Sequence, residues 1–139
     1  YVDLHGAPGR DYWSGNEVVA LTARQVRELD LKGKTVFSLS CFLADTDSPM
    51  LDALLDAGVK YVIGGAGTNY AGTNKPAWAG TLGKIFVSLV RIGFDPLRAL
   101  ALGKHLLNLN LAKDKFLRRR ESEKADLDTL DFKAYYRKH

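Results

Sequence analysis

The chain has one cysteine, one methionine and three histidines in 139 residues. A lone cysteine excludes an internal disulfide, and one thiol beside three imidazoles is poor material for a structural zinc site. No metal or organic cofactor is therefore expected. No apolar run approaches the roughly 18 residues needed to cross a bilayer, so no membrane partner is expected either. A signal-peptide pattern is also missing. The chain opens on Tyr1 rather than Met, which predicts a processed subunit or a piece of a longer protein. Neither sign of charge dominates, since the formal net charge is +4. From Lys113 to the end there are nine basic and six acidic side chains, and Arg118, Arg119 and Arg120 run directly into Glu121 and Glu123. A nucleic-acid face joins a basic patch to aromatic residues. Residues 113–139 read instead as a charged, solvated tail, and nucleic acid is not an expected partner.

What is present is the material of one compact domain: 46% hydrophobic and 26% charged residues. The order of elements is strand, helix, strand, helix, strand, then two helices. Residues 1–4 form a short apolar run before His5-Gly6 and read as a strand. Residues 7–16 (APGRDYWSGN) read as a loop. Thr22 and Gln25 have capping-box spacing, which predicts a helix over 23–31, stopped by Gly33. Residues 35–40 (TVFSLS) read as a buried strand that runs into Cys41. Ser48 followed by Pro49 predicts a helix start, and Gly58 its end. Residues 60–63 (KYVI) predict a third strand, followed by Gly64, Gly65 and Gly67. Helical spacing of Leu82, Ile85, Phe86, Leu89 and Val90 predicts a helix up to Gly93, and Asp95-Pro96 starts another that reaches about Leu111. The pattern predicts an α/β fold with a mostly parallel sheet between helices. Three such strands leave open edges, so flanking sequence or a second chain is expected to complete the sheet.

Ligands of parallel α/β sheets bind beyond the carboxyl ends of the strands. Those ends carry His5-Gly6, Cys41 and the glycine-rich loop. A lone cysteine is most often a small buried hydrophobe. One that ends a strand beside a second strand ending in histidine has the makings of a nucleophile. The thiolate attacks, and a free thiol titrates near roughly 8.5, so it needs an imidazole to hold the anion and later donate a proton. The backbone amides of Gly6 and Cys41 are candidate oxyanion donors.

The string LHG (4–6) followed by SLSC (38–41) resembles the paired signature of caspase-fold cysteine peptidases, in which His-Gly ends one strand and a small residue plus Cys ends the next. Within that group the chain is most similar to the CHAT and gingipain-type families, through SPM (48–50), AGVKYVIGGAGTN (57–69), LGKIFVSLVRIG (82–93) and PLRALALGKHLL (96–107). The resemblance covers about residues 1–111, and TLDF (129–132) extends it. It implies a three-layer caspase-like fold, incomplete in this chain, and a peptidase that cleaves polypeptides through a His5/Cys41 dyad. It departs from the family in lacking the strands before the histidine strand and the family's final strand.

Other residues are weighed against simpler roles. Asp45 and Asp47 follow the cysteine and would select a basic side chain, although capping of the helix at Ser48 is the favoured reading. Asp3 shares a strand face with His5 and is placed to orient it. Gly64, Gly65 and Gly67 fit no phosphate-loop spacing and read as a cleft wall. Asn69, Tyr70 and Trp78 beside that loop, and Trp13 after His5, are candidates for substrate contact or for packing. His105 and His139 are assigned no catalytic part. The rival to an enzyme is a non-catalytic interaction module of the same fold within a larger protein. The compartment stays open, with the unpaired thiol compatible with the cytoplasm.

Overall fold

The computed structural model describes residues 4–15, 18–67, 78–117 and 131–136. The chain divides into two compact units, Tyr1–Asn69 with Asp131–His139, and Tyr70–Leu130.

In the first unit, β1 (Tyr12–Gly15) and β2 (Val18–Thr22) pair as an antiparallel hairpin. The sequence predicts a loop here, and the structure corrects it. The turn-forming residues are confined to the stretch around Pro8 and Gly9, where Gly9 has φ 64° and the Arg10 amide bonds the Ala7 carbonyl. The aromatic pair Tyr12-Trp13 beyond it favours an extended chain. Trp13 is 2% exposed and belongs to the hydrophobic core with Val26, Leu43, Met50, Leu54 and Val62. It is a packing residue, not a substrate contact.

Thr22 closes β2 and caps α1 (Ala23–Arg27) through the expected capping box. Its Oγ1 accepts from the Gln25 amide at 3.2 Å, and Gln25 Oε1 accepts from the Thr22 amide at 2.9 Å. The helix ends earlier than the periodicity predicts. Leu31 leaves the helical path because its amide bonds the Ala57 carbonyl at 3.0 Å and its side chain packs on the core.

β3 (Thr35–Phe37) and β4 (Tyr61–Gly65) are parallel neighbours, with α2 (Pro49–Asp56) between them in sequence. Ser48 caps α2 by accepting from the Leu51 amide, Pro49 stands at the helix start, and Gly58 ends the element at φ 88°, as the sequence predicts. A third strand, β5 (Phe132–Tyr136), pairs antiparallel with β4, so the order is β3-β4-β5. The expectation of three parallel strands is thereby corrected. Residues 1–3 lie outside the described residues, and His5 makes a single antiparallel bridge to Ser14. The added strand comes from the chain end, which reads as a charged tail by composition. Phe132 is 1% exposed and stacks on Phe37 with ring centroids 5.4 Å apart, while Lys133 faces outward. The fold is mixed α/β.

The second unit holds a helical hairpin, α3 (Trp78–Arg91) and α4 (Pro96–Leu117). Gly93, at φ 98°, closes α3. The Phe94 amide bonds the Leu89 carbonyl and the Gly93 amide bonds Val90, the paired pattern of a Schellman stop. Asp95 Oδ1 then accepts the Leu97 and Arg98 amides at 2.9 and 3.4 Å and opens α4. The helices approach closely because Gly103 has no side chain. A Cβ there would stand 3.2 Å from Leu82 Cδ1.

Since Phe132 fills the space against Phe37, Phe132→Ala is expected to cost about 3–5 kcal/mol. Equilibrium denaturation would show this as a lower midpoint; an unchanged midpoint would mean that β5 does not hold the sheet.

Candidate active site

Three backbone segments meet past the end of β3. The first is His5-Gly6. His5 is fixed by two hydrogen bonds with Ser14, its amide to the Ser14 carbonyl at 2.8 Å and the Ser14 amide to its carbonyl at 3.0 Å. Its side chain is exposed. Gly6 lies against the main chain of Cys41. A Cβ on Gly6 would overlap the Cys41 carbonyl oxygen and stand 3.3 and 3.4 Å from the Cys41 carbonyl carbon and amide nitrogen. Only glycine permits that approach. Among the described residues the Gly6 amide has no hydrogen-bond acceptor.

The second segment is the turn at Cys41. Ser38 and Ser40, both fully buried, lock the chain just before it. Ser38 Oγ lies 2.9 Å from Ser40 Oγ and accepts from the Ser40 amide at 3.0 Å. Cys41 is partly exposed and is not in a disulfide. Phe42 takes a left-handed conformation, φ 57°, which is rare outside glycine and turns the chain sharply after the cysteine.

The third segment is the continuation of β4. The Phe42 amide bonds the Gly67 carbonyl at 3.1 Å, and the Ala44 amide bonds the Gly65 carbonyl at 3.0 Å. Gly64 leaves room for Leu43, since a Cβ there would fall 2.9 Å from Leu43 Cδ2 and 3.0 Å from its Cβ. The glycine-rich stretch is thus a backbone wall against which the cysteine turn is laid. Tyr135 of β5 completes the support, its hydroxyl donating to the Ala44 carbonyl at 3.2 Å.

Of the residues singled out in sequence, Gly6, which follows His5, is set against the main chain of Cys41. Asp45 is half-buried and Asp47 exposed in the turn that leads to α2. Ser48 caps that helix itself, and among the described residues neither carboxylate has a hydrogen-bond or ion partner. The capping role favoured from sequence is corrected, since Ser48 caps the helix itself. Asp3, Asn69, Tyr70, His139 and the Arg118–Arg120 run lie outside the described residues. Trp78 is the first residue of α3. His105 is exposed on α4.

Sequence reading missed the supports Ser38, Ser40 and Tyr135. The signal for the serines was there, since two hydroxyls interrupt an otherwise apolar strand immediately before the cysteine. Tyr135 gave no local signal, because its partner is 91 positions away.

Among the described residues no cluster of three or more side chains suited to a metal ion occurs, and no helix is long and apolar enough to cross a membrane. Compared with protein-family models, with curated proteins and with solved structures, the chain matches none.

Gly6→Ala should force the His5-Gly6 segment off the Cys41 backbone, with a stability cost of about 1–3 kcal/mol. Ser38→Ala removes the acceptor of the buried Ser40 amide, at about 1–3 kcal/mol. Chemical denaturation of the two variants measures both costs. A Gly6→Ala variant as stable as the native chain would show that the close approach is not tight.

Proposed function

We propose that this chain is a cysteine endopeptidase with a caspase-like, three-layer α/β fold, in which Cys41 is the nucleophile and His5 carries the proton. The observation that carries the reading is the contact of Gly6 with the main chain of Cys41. It sets the residue after His5 beside the only thiol, at the strand ends where α/β proteins bind ligands. The buried serine pair and the bonds to Gly65 and Gly67 hold that thiol on a fixed turn, as a nucleophile requires.

The steps follow from the groups present. Cys41 gives its thiol proton to the imidazole of His5, and Sγ bonds to the scissile carbonyl carbon. The carbonyl oxygen becomes an oxyanion, to which the open Gly6 amide donates. As the C–N bond breaks, the imidazolium returns the proton to the leaving amine and an acyl-thioester remains. Water then attacks the thioester, its proton going to His5 and back to Sγ, which releases the acid. The substrate is a polypeptide. A flanking segment or second chain that adds a strand beside β3, an edge of the sheet, belongs to this reading.

An electrophilic thiol probe tests the dyad on the full chain. At neutral pH the native protein should label at Cys41 at least about 100-fold faster than His5→Ala, and Cys41→Ala should not label while keeping its fold by circular dichroism. Labelling that is slow and indifferent to His5 would leave a caspase-like interaction module without catalysis.

A further inference from the structure

The turn between α3 and α4 has three properties together. It is apolar and exposed: Ile92 is 73% exposed, Phe94 40% and Leu97 36%. It is concave, with an open cavity of about 260 Å³ lined by Ile92, Gly93, Phe94, Asp95 and Arg98. It is also basic. From Arg91 to Arg98 the turn carries two arginines and one acidic residue, Asp95. Arg91 and Arg98 flank the turn, both exposed and neither with an ion-pair partner among the described residues. Asp95 itself is committed to the start of α4, where Oδ1 accepts two amides.

Apolar side chains exposed around a notch and rimmed by charge mark a binding surface. We propose that the α3–α4 turn is a docking site for an acidic peptide segment, one apolar side chain of which fills the notch while its flanking carboxylates meet Arg91 and Arg98. Charge complementarity decides against the two other occupants. A second copy of the chain joined through this turn would set Arg91 and Arg98 against their own kind, and like charges across an interface are costly. A lipid surface would have to take the Asp95 carboxylate toward hydrocarbon, which is also costly, whereas a peptide in the notch leaves its outer face in water. The arginines add planar, bidentate recognition of carboxylates to the net charge.

The surface lies wholly within the helical hairpin and uses neither His5 nor Cys41, so its test is independent of peptidase activity. The full chain is panned against a displayed library of random peptides, in parallel with Arg98→Glu and with the double variant Ile92→Ser, Phe94→Ser. The native chain should enrich peptides in which a large apolar residue is bracketed by Asp or Glu. A synthetic peptide of the enriched sequence should bind with an affinity that falls as salt is raised. Each variant should weaken it by at least about tenfold. Both variants change exposed side chains, and circular dichroism checks their helix content. No enrichment, enrichment of peptides without acidic residues, or equal binding by the variants overturns the proposal. So does sedimentation with vesicles containing phosphatidylserine in the absence of peptide binding, which would make the turn a lipid contact.

Discussion

Main-chain atoms of separate segments can touch only where no side chain stands between them, and the first unit is organised around one such place. Gly6 lies on the backbone of Cys41, Leu43 lies on Gly64, and the amides of Phe42 and Ala44 reach the carbonyls of Gly67 and Gly65. A Cβ at Gly6 would overlap a carbonyl oxygen, and one at Gly64 would press on Leu43. Because the obstructing atom at Gly6 is main chain, rotamer changes cannot relieve the overlap. The segment that carries His5, the turn that carries Cys41 and the central strand β4 are therefore fixed by the same few contacts.

That constraint explains the strain nearby. Phe42 occupies left-handed backbone space that a bulky residue normally avoids. The conformation is held because its amide is bonded to Gly67, the next amide but one is bonded to Gly65, and Leu43 between them is 1% exposed. Backbone strain that persists under such over-determination clusters at functional sites. Here it directly follows the only thiol in the chain. Burial of Ser38 and Ser40 points the same way, since Ser38 Oγ, fully removed from water, donates to Ser40 Oγ and accepts from the Ser40 amide in place of apolar packing.

The parts legible in sequence were those set by local chemistry. The Thr22–Gln25 box, the Ser48-Pro49 start, the glycine stops at 58 and 93, and both long helices stand where cap and period signals put them. The parts that misled were set by partners distant in the chain. β1 sits in a stretch rich in turn residues and is extended because Val18–Thr22 pairs with it. β5 sits in a charged tail and is a strand because β4 offers it an edge and Phe37 a ring to stack on. The candidate site residues were singled out for a different reason. Strand ends are where chemistry collects in α/β folds, so His5 and Cys41 stood out. The strand expected before His5 falls on residues 1–3, outside the described residues, and His5 itself bridges to Ser14 of β1.

β5 changes what the chain end does. Its Tyr135 hydroxyl donates to Ala44, three residues past Cys41, and the Ala66 amide bonds Asp131. β5 therefore braces both the cysteine turn and the wall behind it. Cutting the chain before Asp131 would remove a sheet edge, one support of the turn and one of the wall, while the Gly6 contact and the Ser38–Ser40 pair would remain. Geometry at Cys41 thus leans on a segment that composition alone reads as a solvated tail.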